Sequence, residues 1–381
     1  MKIIHMADSH LGFSSHNRVD KFGRNLFEEM IYKGFEDAVD RIIELKPDAI
    51  IHAGDVFHHV RPRIRTLYIL KRCLEKLHEA GVPIIIISGN HDAPKSSTST
   101  SPFVIFEGAP DLYIAHKARY ERFEVGDRFF HCIPFCLEPR DYFTEFEKIE
   151  RNDQDVLILH GLVEALSSKK LRTVGEHEIK DSILKSDFDY IALGHYHGQV
   201  SISKNAWYSG SIEYFNFGES EDKKGILFVD LDNYEVQNVS IRPKYMVNYQ
   251  PIDCIGLSST EIKDRLMEIC DRDAILNKIV RVNLKNVNRI AFKNIDQASL
   301  NRLRAMALHL DVKVDFQDDQ YRRVEPIDKS KLHEEFAEFL EEEGVRERIP
   351  QTIKDDVIDY GSNVLKKAVT IDNTEALNAS Q

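Results

Sequence analysis

Aspartate, asparagine and histidine recur in this chain just past short apolar runs, and those side chains are the ones that bind a borderline divalent cation. Asp8-Ser9-His10 follows the run 2–7, Gly54-Asp55 follows 49–53, and Gly89-Asn90-His91-Asp92 follows 84–88. His160-Gly161 follows 156–159, and Gly194-His195-Tyr196-His197 follows 190–193. Carboxylate oxygen, amide oxygen and imidazole nitrogen together suit Mn²⁺, Fe²⁺ or Zn²⁺ rather than calcium or an iron–sulfur cluster. Seven groups (Asp8, His10, Asp55, Asn90, His160, His195 and His197) exceed the needs of one ion. They serve two if one carboxylate bridges, and Asp55 on the central strand is the expected bridge. A pair of divalent ions lowers the pKa of a shared water and clamps a phosphoryl group, so phosphoester hydrolysis is the expected reaction. Taken singly, each cluster reads as turn chemistry or a satisfied polar pair; five in order, each at a strand end, do not. His5 and His52 alternate with apolar neighbours and are expected in the core, while His16, His59 and His131 receive no role.

Positioning five clusters in one crevice takes a sheet, because ligands of open α/β folds bind beyond the carboxyl ends of the strands. The first 95 residues alternate β-branched runs with helical spacing, through Phe27, Ile31, Phe35, Val39 and Ile42 and then Leu67, Leu70, Leu74 and Leu77, which Gly81 and Pro83 close. Residues 110–245 are richer in strand patterns and predict a second sheet. Beyond Pro243 the spacing predicts a compact βαβαβ unit: a strand over 246–252, a helix opened by a capping box of Ser258 and Glu261, a strand over 279–284, a helix over 296–310 and a strand over 312–316. The expected organisation is therefore a domain at 1–243, a small α/β domain at 244–325 and a helical tail at 326–381.

The 381 residues suffice for two or three domains. A 42% hydrophobic and 30% charged composition excludes a disordered chain, and 63 acidic against 51 basic side chains exclude a uniformly basic coat. Five cysteines form no Cys-x-x-Cys pair, so a thiolate zinc site is not expected. No apolar run reaches membrane-spanning length, and the N-terminus lacks the pattern of a secretory signal, so a cytoplasmic location is expected. Segment 242–324 carries 15 Lys and Arg against 11 Asp and Glu, and the tail from Pro326 carries 7 against 13.

The five clusters resemble the five motifs of the calcineurin-like metallophosphoesterase superfamily, with all seven ligand positions matched. That resemblance implies an α/β fold: a four-layer αββα sandwich of two mixed sheets. It also makes His91 the non-ligand histidine that faces the scissile phosphate. The stretches from Ile4 to Gly12 and from Gly54 to Pro62 are similar to one branch, the DNA double-strand-break-repair nucleases of the Mre-eleven and SbcD type. There His58 corresponds to the histidine that positions the phosphodiester for exonucleolytic cleavage. The branch implies a Mn²⁺-dependent nuclease with two metal ions, exonucleolytic on double-stranded ends and endonucleolytic on single strands, associated with the nucleoid. It further implies a homodimer, with 64–77 as the candidate element, and a DNA-flanking cap in which Arg281, Lys285, Arg289, Lys293, Arg302 and Arg304 contact phosphate. It implies, too, tail helices that dock on a coiled-coil ABC-type ATPase of the Rad-fifty or SbcC type; their apolar faces would present Leu332, Phe336, Phe339 and Leu340, then Val357, Val364 and Leu365. Three other readings are to be weighed against it. A protein phosphatase would carry Gly-Asp-x-x-Asp-Arg-Gly where this chain has Phe57-His58. A small-nucleotide phosphodiesterase shares Gly-Asn-His-Asp but has no need of cap and tail, and a non-catalytic scaffold should have lost ligands.

Overall fold

The computed structural model describes residues 1–317 except 17, 97–98, 151–154, 168–177 and 185–186, and in the tail Glu334, Phe336, Leu340 and 356–364. The chain opens with β1 (Lys2–Met6), α1 (Leu26–Leu45), β2 (Ala49–His52), α2 (Ile64–Glu79), β3 (Ile84–Ile87) and β4 (Leu112–Ala115). Asn25 starts α1 by accepting from the N–H groups of Phe27 and Glu28. β1 to β4 are parallel neighbours in chain order. Alternation along these strands decides the layering. Ile4, Ile50, Ile84 and Ile86 pack under α1 and α2 against Ile31, Phe35, Ile42, Leu70 and Leu77, while Ile3, Ile51, Ile85 and Ile87 face the other way and are equally buried.

What they face is a second sheet. The chain continues through β5 (Glu121–Val125), β6 (Arg128–Ile133), α3 (Pro139–Phe146), β7 (Asp155–His160), β8 (Leu162–Val163), α4 (Glu164–Ser167), β9 (Glu178–Ile179), α5 (Asp181–Leu184), β10 (Tyr190–Gly194), β11 (Val200–Ser201) and β12 (Ala206–Tyr208). The strand order is β11-β12-β10-β7-β6-β5. Phe130, Cys132, Val156, Ile158 and Ala192 close the space between the sheets. On the outer face Leu157, Leu159, Ile191 and Leu193 meet Tyr142 of α3 and Ile183 of α5. The result is four layers, αββα. β13 (Ile226–Asp230) then returns antiparallel to β1, and β14 (Glu235–Val239) forms the edge of the first sheet.

The following segment has a core of its own. It comprises β15 (Met246–Asn248), β16 (Ile252–Asp253), α6 (Ser259–Ile269), α7 (Arg272–Ile275), β17 (Ile279–Val287), α8 (Arg289–Lys293), α9 (Gln297–Met306) and β18 (His309–Phe316). The strand expected over 246–252 is two short strands on one edge of β17, split at Pro251, which has no N–H for the ladder. The Ser258–Glu261 capping box is present. The helices cover one face of this sheet, through Ile262, Leu266, Leu300 and Leu303 against Val280, Val282 and Leu284. Met246 and Ile279 join Phe27, Tyr214, Phe217 and Tyr245 in an apolar seam with the four-layer domain. In the tail, the Phe336 ring lies against Gly361, where a Cβ would not fit, and Leu340 is buried. Leu332, Phe339 and Leu365 fall outside the described residues. Among the described residues no helix is long and apolar enough to cross a membrane.

Candidate metal centre

All five clusters end on the same side of the two sheets. The exits of β1 and β2 are laced together: Asp8 N–H donates to Gly54 O at 3.0 Å, His10 N–H to Asp55 O at 3.0 Å, and His58 N–H to Leu11 O at 3.0 Å. Across the sheets His160 Nδ1 lies 2.8 Å from Ala53 O. Close approach explains the glycines. A Cβ on Gly89 would meet Asp55 Oδ1 at 2.2 Å, and one on Gly194 would meet Ala53 O at 1.9 Å. Only Gly54, at φ +96°, also uses the left-handed backbone region. Four ligand-type residues occupy that region despite their side chains: Asp8 (φ +53°), His10 (+43°), Asp55 (+55°) and His195 (+99°). Such backbone costs about 1–3 kcal/mol each and persists at functional sites where the surroundings enforce it.

The seven residues fall into two groups, with Asp55 standing between them. In one, Asp8, His10 and His197 bring their donor atoms within 4.8 Å of one another, and the Nε2 atoms of His10 and His197 face each other at 3.1 Å. In the other, Asp55, His160 and His195 do the same, and Asn90 Oδ1 lies 3.0 Å from both His160 Nε2 and His195 Nδ1. Asp55 Oδ2 stands 3.7 Å from His10 Nε2 and 3.5 Å from His160 Nε2, between the groups. Backbone amides fix the carboxylates: His91 N–H donates to Asp55 Oδ1 at 2.8 Å and His195 N–H to Asp8 at 3.1 Å.

The electrostatics fit a cation in this space. Burial opposes charge on Asp55, but the imidazoles of His160 and then His10 outweigh it and hold the carboxyl below its ordinary range. Burial likewise opposes charge on His160, yet Asp55 pushes it up to about 9. Burial, aided by His197, His91 and His58, keeps His10 well below its usual value. Facing imidazole nitrogens and lone-pair oxygens need a positive charge between them, and a divalent ion displaces the protons that otherwise serve.

His91 and His58 sit beside the cluster rather than in it. His91 Nδ1 is 3.0 Å from His58 O, so that nitrogen donates and Nε2 is left for another partner. The two rings stack with centroids 4.9 Å apart, and His58 meets His10 edge to face at 5.3 Å. Donor atoms of His10, His58 and His91 also lie within 4.8 Å of one another. Two clefts flank Asn90 and His91: one of about 490 Å³ runs past His195 to Asp222, the other, of about 600 Å³, runs past His58, Arg61 and Lys95. His5 and His52 are fully buried.

Further residues support the centre without being candidate ligands. Asp92, fully buried, accepts from Gly89 N–H at 2.6 Å and Phe57 N–H at 3.3 Å and so braces the β3 exit. Glu219 and Lys224 back His197 from a segment without helical or strand periodicity. Of the six cap cations, Arg281 and Lys285 alternate with the core residues of β17 and lie on the sheet face away from the helices. Arg281 is paired with Asp311 at 2.7 Å and sits 4.0 Å over Phe217. Lys285 is exposed, as are Arg289, Lys293, Arg302 and Arg304 on α8 and α9, so the six do not make one patch.

A four-layer αββα sandwich with five histidine- and carboxylate-bearing strand exits defines a class, and the chain belongs to the calcineurin-like phosphoesterase family, whose pattern matches residues 1–199. Within it, the chain is 27% identical over 297 residues to the DNA double-strand break repair protein Mre11 of Methanocaldococcus jannaschii, covering 74% of this chain and 77% of that one. It is 29% identical over 263 residues to the protein of the same name from Methanococcus maripaludis, covering 63% and 67%. It is 30% identical over 271 residues to a subunit of the nuclease SbcCD from Staphylococcus epidermidis, covering 64% and 69%. These similarities group the chain with the double-strand-break-repair branch of the family.

Proposed function

We propose that this chain is a Mn²⁺-dependent DNA nuclease, exonucleolytic on double-stranded ends and endonucleolytic on single strands, which processes double-strand breaks together with a coiled-coil ABC-type ATPase. The observation that carries the reading is the position of Asp55, whose Oδ2 stands 3.7 Å from His10 Nε2 and 3.5 Å from His160 Nε2, between two ligand groups with His91 and His58 at their rim. Asp8, His10, Asp55 and His197 would hold one ion, and Asp55, Asn90, His160 and His195 the other. When bound, such a pair supplies a water acidic enough to attack near neutral pH and neutralises the charge of a phosphodiester. His91, anchored through Nδ1, presents Nε2 toward the leaving oxygen and gives it a proton. His58 stacks on His91 and orients the phosphodiester. Two open clefts meeting at His91, one carrying Arg61 and Lys95, suit a polymer that passes through better than a small nucleotide that is enclosed.

The remaining parts extend that reading. Residues 1–243 act as the nuclease domain, 244–325 as a DNA-binding cap and 326–381 as the ATPase-binding tail. Ile64, Tyr68 and Ile105 are more than half exposed around an apolar cleft formed with Leu67, Leu74 and Phe106, and this surface suits the homodimer. End-labelled duplex DNA and a cyclic nucleotide, each incubated with the chain and Mn²⁺, test the function. Release of nucleotides from the duplex alone is the expected result, and hydrolysis of the cyclic nucleotide alone would replace the nuclease with a small-molecule phosphodiesterase.

A further inference from the structure

His197 is held from behind by a carboxylate whose own position is fully fixed. Glu219 is 6% exposed and ends a short 3₁₀ turn, Phe217–Glu219. Its Oε1 accepts from His197 Nδ1–H at 3.0 Å and from Asn216 Nδ2 at 2.6 Å. Its Oε2 accepts from Lys224 Nζ at 2.7 Å and from Phe215 N–H at 3.1 Å. Four donors therefore saturate the four lone-pair positions of the carboxylate and leave it no freedom to turn. Lys224, 7% exposed, spends its other two donors on Ser211 Oγ at 2.8 Å and His197 O at 3.0 Å, so the same ammonium grips both the carboxylate and the backbone of the histidine.

The chemistry of this arrangement is directional. An ionised carboxylate only accepts, so Nδ1 of His197 carries the proton and Nε2 presents its lone pair toward Asp8 and His10. His160 is fixed differently, by the backbone carbonyl of Ala53, so loss of Glu219 should be felt at one ligand group only. Hydrogen bonds behind a ligating imidazole fix its tautomer and raise its donor strength, and losing one typically weakens metal binding 10–100-fold.

From this geometry we infer that Glu219, clamped by Lys224, is a positioning residue that orients His197 and sets the affinity of the ion held with Asp8 and His10. The inference rests on the two-ion reading above. Calorimetric titration with Mn²⁺ alone, supported by the paramagnetic resonance signal of free Mn²⁺, separates the two. Wild-type chain should take up two equivalents. Glu219→Ala should bind one of them 10–100-fold more weakly and the other unchanged. Glu219→Gln, whose amide oxygen can still accept from Nδ1–H, should recover part of the loss. Because Glu219→Ala strands a buried ammonium, the double variant Glu219→Ala/Lys224→Met removes both charges and should show the same one-sided loss. Wild-type uptake by the double variant, or equal weakening of both ions, overturns the positioning role. A wild-type chain that takes up fewer than two ions overturns the metal reading and this inference with it.

Discussion

A single methyl group at Gly194 should disable the centre without replacing any ligand. An ideal Cβ there lies 1.9 Å from the Ala53 carbonyl oxygen, 2.9 Å from its carbon and 3.0 Å from His160 Nδ1. Real Cβ contacts do not fall below 3.0 Å, so Gly194→Ala must open the gap to Ala53 by at least about 1.1 Å. The obstacle is backbone at the exit of β2, which cannot rotate aside. Two ligands move with it: His195 is the next residue, and Ala53 O is the acceptor that fixes His160 at 2.8 Å. Overpacking of this kind costs about 1–3 kcal/mol, and the upper end applies because no flexible side chain can yield. A misplacement of about 1 Å at a reacting centre costs about 10²-fold in rate. The assays are thermal unfolding, Mn²⁺ uptake and release of nucleotides from a labelled duplex. A variant that unfolds a few degrees early, binds Mn²⁺ weakly and loses about two orders of magnitude in rate agrees with the reasoning. One that keeps both ions and stays within about threefold of wild type refutes the claim that strand exits set ligand geometry at the 1 Å level.

His91→Ala should keep both ions and lose about 10²-fold or more in rate on every substrate, whereas His58→Ala should keep both ions and lose exonuclease while sparing single-strand endonuclease activity; metal analysis beside the two assays decides, and metal loss in either variant would make that histidine a ligand. Burial pushes the His5 imidazole down to about 3, so the fold holds it neutral while the unfolded chain protonates it near 6.5, and its contribution to stability is lost as pH falls through that window. Urea unfolding between pH 5.5 and 4.5 should therefore cost wild type about 1.4 kcal/mol more than His5→Gln, and parallel losses would contradict the burial argument. If the open face of the cap sheet lies along DNA, Lys285→Glu should reduce the log–log salt slope of binding by about 0.9, while Arg302→Glu on the helical face should leave it unchanged; the reverse pattern would move the DNA to the helices.

Much of this was legible in the chain because the ligands sit at strand ends, where an apolar run stops and a polar cluster begins. Ile84–Ile87 is buried on both faces, so four isoleucines in a row mark a central strand with no ambiguity of face. The same logic hid β14, whose Glu235, Gln237 and Asn238 suit a half-exposed edge and resemble a loop. It also hid the break at Pro251, where apolar content continues but the ladder cannot. Glu219 and Lys224 escaped notice for a different reason: they reach His197 across a turn of irregular backbone, and no periodicity ties position 219 to position 197. Charge counting shows only a basic excess over 242–324, and the resemblance singles out six cations there; strand alternation in three dimensions separates Arg281 and Lys285 from the four on the helices.

The central claim is that one carboxylate, Asp55, joins two metal positions. Mn²⁺ uptake by wild type and Asp55→Ala, with folding checked by circular dichroism, tests it most directly. The account predicts two equivalents in the wild type and none at the same free concentration in the variant, since each ion loses a shared ligand. A folded Asp55→Ala that still binds two ions would contradict it.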